Sequence, residues 1–326
     1  MIRWGILGCG DVTERKSGPA FSRVPGSALV AVMRRDREKA RSYAERHGVP
    51  RFYDDADALI ADPEVDAVYV ATPPSSHAEL AIRVAAAGKP CYVEKPMATT
   101  VADAERMCAA FASVPLFVAY YRRALPRFLA VRDALDEIGP VRVVRIALGR
   151  PIRDDERDRA TLPWRVQPSI AGGGHFVDLA CHTLDLLDFL LGPLGHVQGS
   201  VTNQAGLYDA EDTVVMSFSV GDALGTGTFS FAAHERFDTV ELIGARGKIE
   251  FATFEDLPVR VTTDAGTRSL VVPHPHHIQE PLIATIVEAL HGRGTCPSTG
   301  ETAIRTTRVM ETVLNSPVKS IRLATR

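Results

Sequence analysis

Over its first 120 residues the chain repeats one arrangement: a short run that is mainly apolar rather than alternating, then a stretch of helical length. The apolar runs fall at residues 2–7, 28–33, 67–71, 91–93 and 116–119, and the helical stretches include 36–47, 75–87 and 100–112. A strand that is apolar at every position, rather than at every second one, is covered on both faces, which is the condition of a parallel sheet. Parallel neighbours need crossover helices, and the handedness of those crossovers places helices on both sides. The expected fold of this half is α/β, a doubly wound parallel sheet.

After residue 121 the pattern changes. A helical stretch (126–138) precedes a strand (141–148). A charged segment (153–159) then leads to Gly172-Gly173-Gly174 and a helix over 176–191. Between 197 and 272 lie successive β-runs at 214–220, 226–231, 239–243, 248–251, 259–263 and 268–272. Short polar turns between such runs predict an antiparallel sheet. Helices at 281–291 and 301–314 follow. The division expected is a dinucleotide-binding domain over residues 1–120 and an α+β domain over residues 121–326 with a large, mostly antiparallel open sheet. A chain of 326 residues fits two domains at about 150 residues each.

Composition removes several function classes. With 37 Lys and Arg against 40 Asp and Glu, net charge is −3. That leaves no basic excess to neutralise a phosphate backbone, so no nucleic-acid partner is expected. No apolar run approaches the roughly 18 residues of a membrane helix, and the first residues lack the apolar core and cleavage site of a signal peptide. No membrane partner and a cytoplasmic location are the expectations. Cys9, Cys91, Cys108, Cys181 and Cys296 show no CxxC and no regular spacing, which predicts reduced thiols acting as small apolar fillers.

Gly8-Cys9-Gly10-Asp11-Val12-Thr13 sits directly after the first strand, at the opening of a helix. In that context Gly8 permits a tight turn, and Gly10 lets the backbone approach a pyrophosphate. The third position is Thr13 rather than Gly or Ala, and Gly18-Pro19 should break the first helix early. Asp11 and Val12 complete the candidate cofactor turn. The second strand ends in Arg34-Arg35-Asp36. A guanidinium there suits the extra phosphate of NADP, whereas Asp36 keeps NAD open, and a solvated helix cap is the plain alternative.

Three further segments complete the pattern: Ala71-Thr72-Pro73-Pro74-Ser75-Ser76-His77, Glu94-Lys95-Pro96, and the run from Gly172 through His175, Asp178 and Cys181 to His182. With the glycine turn, and in this order along nearly the whole chain, they resemble the Gfo/Idh/MocA family of NAD(P)-dependent oxidoreductases, which includes glucose–fructose oxidoreductase, inositol dehydrogenase and dihydrodiol dehydrogenase. The resemblance implies that Lys95 stabilises a substrate oxygen, with Glu94 near the cofactor and a cis bond before Pro96. It implies proton transfer or substrate binding for Asp178 and His182. One departure is Ala180, where the family commonly has Gly. Read on their own terms, Lys95 follows a strand at the ligand-binding edge of the sheet. Asp178 and His182 stand at i and i+4 on one helix face, continued by Asp185, and an imidazole suits exchange of an alcohol proton near neutral pH. A surface lysine before proline and a structural Asp/His pair are the bland readings.

Weaker candidates for the cofactor cleft are Thr72, Pro73 and His77, together with Tyr120, Arg123, Trp164 and Arg165. His77 reads equally as a helix-start residue, Arg123 as an ion-pair residue and Trp164 as a plug. The run His274-Pro275-His276-His277 lacks a Cys or carboxylate to complete a metal set, so no metal is expected. Cys181 reads as packing. The function expected is reversible hydride transfer between NADP, or NAD, and a secondary alcohol of a polyhydroxylated small molecule: a sugar, polyol or cyclic diol. The rival readings are a nicotinamide-dependent glycosidase or lyase that oxidises transiently, and a non-catalytic NADP sensor. An open sheet face calls for a cover, so a homodimer or homotetramer through the C-terminal sheet is expected.

Overall fold

A computed structural model describes residues 1–316. The chain forms two compact units, Met1–Phe128 with His274–Thr307, and Leu129–Pro273 with the described residues from Arg308. The sequence reading cuts the chain once, after residue 120. The structure instead returns the segment His274–Thr307 to the first unit. There Ser298 Oγ donates to the Val118 carbonyl at 2.7 Å, and Phe117 bridges Thr299 beside the last strand of the sheet.

The first unit is a six-stranded sheet of β1 (Ile2–Leu7), β2 (Ser27–Met33), β3 (Arg51–Tyr53), β4 (Ala67–Val70), β5 (Cys91–Val93) and β6 (Leu116–Val118). The order is β3-β2-β1-β4-β5-β6 and every pair is parallel. Ile6, Val32, Val68, Val70 and Val93 are fully enclosed, as continuous apolar strands demand. Trp4, Phe21, Tyr69 and Tyr92 form a ring cluster, with Tyr69 stacked on Tyr92 at 4.8 Å between centroids. Strand order reverses between β1 and β4, the switch point outside which ligands bind in open α/β sheets.

The second unit holds β7 (Val141–Gly149), β8 (Leu194–Thr202), β9 (Thr213–Val220), β10 (Ala223–Ser230), β11 (Phe237–Gly244), β12 (Gly247–Phe251), β13 (Val259–Thr263) and β14 (Gly266–Leu270). Their order is β14-β13-β12-β11-β7-β10-β9-β8. The β7–β10 pair is parallel and the others are antiparallel. Along β9 and β10, burial alternates residue by residue, so one face is packed and one is open. The packed face carries Phe229, which meets Phe176 edge to face at 5.1 Å. The helix expected over 126–138 is two, Pro126–Asp133 and Leu135–Ile138. That over 176–191 opens with a π-wound turn at Phe176–Ala180 before the α-helix Cys181–Leu191. Among the described residues no helix is long and apolar enough to cross a membrane.

Candidate active site

Gly8 leaves β1 at φ +92°, a conformation that side chains resist. A Cβ there would lie 2.7 Å from Thr72 Cγ2. Over Gly10 there is room: the nearest atom to a Cβ is the Gly8 carbonyl oxygen at 4.0 Å, so a pyrophosphate can approach this backbone. Thr13 is enclosed, and its hydroxyl donates to the Gly10 carbonyl (2.8 Å) and accepts from the Gly10 N–H (3.0 Å). Thr13 therefore closes the turn that a third glycine would otherwise form. The first helix stops at Arg15, and a Cβ on Gly18 would meet the Thr13 carbonyl at 2.1 Å. Asp11 is exposed and Val12 half-buried.

Arg34 is the first residue beyond β2. It is exposed, and its Nη1 donates to the Cys9 carbonyl at 3.2 Å, which brings the guanidinium to the glycine turn. Arg35 is exposed. Asp36 caps the helix Arg37–His47, accepting from Lys39 N–H at 3.1 Å and pairing with Lys39 Nζ at 2.9 Å. These bonds hold its carboxyl below the usual range.

The turn after β4 adjoins that after β1, and the turn after β5 adjoins that after β4. Thr72 accepts a hydrogen bond from Ser76 Oγ at 2.8 Å, and Pro73 is exposed. His77 is fully enclosed, one ring nitrogen 2.8 Å from the Thr72 carbonyl and the other 2.9 Å from the Pro96 carbonyl. Burial holds its pKa below the ordinary value, against those two carbonyls. It ties the β4 turn to the β5 turn. The Lys95-Pro96 bond is cis, as the resemblance implies, and Lys95 is half-buried. Glu94 is buried among donors: Tyr69 Oη (2.5 Å) and Gln279 Nε2 (2.7 Å) on Oε1, Lys95 N–H (3.1 Å) on Oε2. Arg123 is enclosed, with Nη1 3.3 Å from the Pro297 carbonyl, and Tyr120 is fully enclosed.

In the second unit Asp178 lies in the π-wound turn and His182 in the α-helix after it. Asp178 is half-buried and pairs with Arg165 Nε at 3.4 Å, while the Arg165 guanidinium lies 4.5 Å over the Trp164 ring. His182 is buried, edge to face with Phe254 at 5.8 Å. Asp185 is enclosed in the same helix. Because a π turn carries an extra residue, the Asp178–His182 spacing is not the simple α-helical i,i+4 step that the sequence suggests. Such turns recur at functional sites.

Residues 2–121 match an oxidoreductase family model with an NAD-binding Rossmann fold, and residues 128–250 match the GFO/IDH/MocA C-terminal domain. Oxidoreductase P35 of Formosa agariphila is 36% identical over 316 residues, spanning 95% of this chain and 97% of that protein. The chain belongs to the Gfo/Idh/MocA family of oxidoreductases. Myo-inositol 2-dehydrogenase of Thermotoga maritima is 30% identical across 82% of this chain and 80% of its own. A levoglucosan dehydrogenase structure, in complex with NADH and levoglucosan, superposes with a TM-score of 0.86 over 97% of this chain and 96% of its own. At 22% identity that likeness shows the fold.

This Gfo/Idh/MocA chain also carries polar groups that no sequence pattern marks. Glu156, in the charged segment, is fully buried, with Oε1 2.5 Å from Arg150 Nη2 and 2.7 Å from His175 Nε2. Burial alone would raise its pKa, but the bonds from His175 and Arg150 prevail and take it down to about 2. Glu211 accepts from the Gly174 N–H at 2.8 Å, and enclosure of its carboxyl end pushes its pKa up to about 7. Nothing in the sequence separates these carboxylates from surface ones. Cys181 is enclosed and donates to the Asp178 carbonyl at 3.4 Å. His277 lies 3.4 Å from the Arg15 carbonyl, in a pocket with Pro19, Arg46 and His47. Among the described residues no group of three His, Cys, Asp or Glu is arranged to hold a metal.

Proposed function

We propose that this oxidoreductase catalyses reversible hydride transfer between NADP and a secondary alcohol of a sugar, polyol or cyclic diol. The observation that carries the reading lies in the first unit. The glycine turn, Thr72 and Lys95 follow the carboxyl ends of the adjacent strands β1, β4 and β5, at the switch point of the sheet. A dinucleotide turn and an amine on one sheet edge suit a reaction in which charge grows on a substrate oxygen beside a nicotinamide. When bound, the nicotinamide accepts or returns the hydride. Lys95 stabilises the substrate oxygen, His182 relays its proton, and Asp178, paired with Arg165, orients substrate or imidazole. NADP is preferred to NAD because Arg34 reaches the glycine turn while Asp36 is spent as a helix cap. The names of the relatives, an inositol dehydrogenase and a levoglucosan dehydrogenase, support a polyhydroxylated substrate. The remaining cofactor-contact assignments (Gly8, Gly10, Asp11, Val12, Arg35, Thr72, Pro73, His77, Glu94, Arg123, Trp164, Arg165) belong to the same proposal. So do a cytoplasmic location and self-association through the second unit's sheet.

A cofactor-fluorescence screen of sugars, inositols and diols, with NADP and NAD in parallel, tests substrate and cofactor. Lys95→Met tests the chemistry: turnover should fall by on the order of a thousandfold, the scale of losing an oxyanion donor. NADP affinity should hold. Turnover at the parent rate refutes the assignment.

A further inference from the structure

We propose that Gln279 is a positioning residue for Lys95, acting through the buried carboxylate of Glu94. The inference deepens the functional reading above and rests on Lys95 serving the reacting oxygen. Gln279 comes from the segment His274–Thr307, 185 positions after Glu94, and is fully enclosed. Its Nε2 donates to Glu94 Oε1 at 2.7 Å, and its Oε1 accepts from Tyr92 Oη at 2.7 Å. The opposite amide orientation would set an oxygen against the carboxylate, so the neighbours fix which way Gln279 points. Tyr69, stacked on Tyr92, places its hydroxyl on the same Oε1 at 2.5 Å. Burial, and next the Glu94 charge, keep that hydroxyl protonated, with a pKa well above its ordinary value.

The other oxygen, Oε2, accepts from the backbone N–H of Lys95 at 3.1 Å. The carboxylate is thus the link between a rigid aromatic pair, a glutamine from the far end of the sequence, and the peptide unit that carries Lys95. On the other side of Lys95, His77 holds the Pro96 carbonyl at 2.9 Å. The backbone is gripped before and after the one residue whose amine the reaction needs. An enclosed carboxylate does not tolerate loss of a donor, because water cannot replace it. Without Gln279 the Glu94 side chain must turn toward another cation or water. Its hold on the Lys95 N–H then loosens.

Reductive methylation with 13C-formaldehyde labels every lysine while keeping its charge, and the sequence has six (Lys16, Lys39, Lys89, Lys95, Lys248, Lys319). Lys95→Arg assigns the Lys95 signal. In Gln279→Met, of similar length but without a donor, the Lys95 methyl signal should shift. With the alcohol found in the screen, kcat should fall by on the order of a hundredfold while the KM for that alcohol changes far less, the pattern of a misplaced group rather than a lost binding site. Ser27→Ala, which removes a buried hydrogen bond from Ser27 Oγ to the Phe21 carbonyl (2.6 Å), is the control for stability alone and should leave the Lys95 signal in place. If Gln279→Met does not fold, Tyr92→Phe releases the amide from one side and should move the same signal less far. A Lys95 signal and kcat both unmoved in a folded Gln279→Met, or in Tyr92→Phe where the first does not fold, overturn the proposal. If Lys95→Met turns over like the parent while Gln279→Met still moves the signal, the positioning stands and the dehydrogenase reading falls.

Discussion

In the function proposed above a single side chain would set the cofactor preference, and single carboxylates set the pH response of stability. On the proposed reading Arg34, whose guanidinium reaches the glycine turn at the Cys9 carbonyl, would meet the phosphate of NADP, and a charge-assisted bond to a phosphate contributes about 1.5–3 kcal/mol. Arg34→Ala should therefore raise the KM for NADP by about tenfold or more and leave that for NAD nearly unchanged. Equal effects on both cofactors would remove Arg34 from the phosphate site. Glu211 sets a stability trend that runs opposite to the usual acid loss. Its pKa is raised from 4.5 to about 7, chiefly by burial. Below pH 4.5 folded and unfolded chains both hold the proton. Between 4.5 and about 7 only the folded chain does, so stability falls as pH rises, by about 3 kcal/mol in all, and stays reduced above that window. Glu211→Gln keeps an acceptor for the Gly174 N–H without the charge, so melting temperature should depend less on pH between 5 and 8 and be higher than the parent's at pH 8. Parallel curves for both proteins would contradict this. Glu156 acts in the reverse sense: its pKa of about 2 contributes stability present above pH 4.5 and lost as pH falls through 2.

At the level of elements, what was legible followed from periodicity, and what was not followed from its absence. The strands of the first sheet are mainly apolar, non-alternating runs and read directly, except β3, whose three residues are all half-exposed. The helix Ala56–Ala61 is as short as its neighbourhood is polar and escapes the same test. Alternation marks β9 and β10 but says nothing about β7 pairing parallel to β10, since pairing direction leaves no mark on side-chain spacing. The π-wound turn is invisible because one inserted residue needs no special composition. Glycine chemistry was legible: Gly8 and Gly18 each stand where a side chain would collide. Charge alone did not single out Glu156, which is fully buried although it sits in a run of charged residues. Another buried-end arrangement shows what such hidden acceptors do. Asp238 on β11 accepts from three consecutive amides, those of Thr253 (3.0 Å), Phe254 (2.6 Å) and Glu255 (3.1 Å). It thereby fixes the turn whose Phe254 ring packs against His182. Asp238→Ala should lower stability by about 2–3 kcal/mol, the scale of losing bonds to a charged acceptor. Phe254→Leu, with the turn intact, should lower it less. Denaturant midpoints that fail to separate the two variants would place the stabilisation elsewhere.

For the whole molecule, the decisive feature is the open face of the eight-stranded sheet. Cross-strand register sets Leu224 beside Val143 on one side and Ser219 on the other, and Thr228 beside Ala147 and Val215. All these residues point to the same face. Leu224 is 69% exposed, Val215 50% and Val143 38%, with Thr226, Thr228 and Ser217 exposed between them. The opposite face of the same strands buries Met216, Phe218 and Phe229, so one side is apolar and packed, while the open side sets Leu224, Val215 and Val143 among threonines, serines and Arg145, which pairs with Glu241 of β11. The apolar part of this face gains by being covered: fully enclosing side chains such as Leu224 and Val215 contributes about 1.5–3 kcal/mol each. On the self-association proposed above, the cover would be a second copy, because a two-fold axis would bring each exposed row against its own image. The sequence disclosed the open face through alternation but could not disclose the copy number. Leu224→Arg combined with Val215→Arg places like charges against one another across any such axis. Sedimentation at micromolar concentration should then show the double variant as a smaller species than the parent, with unchanged circular dichroism, since neither residue touches the packed face. If both proteins sediment as monomers, the open face is not a self-association surface and something other than a second copy must cover it.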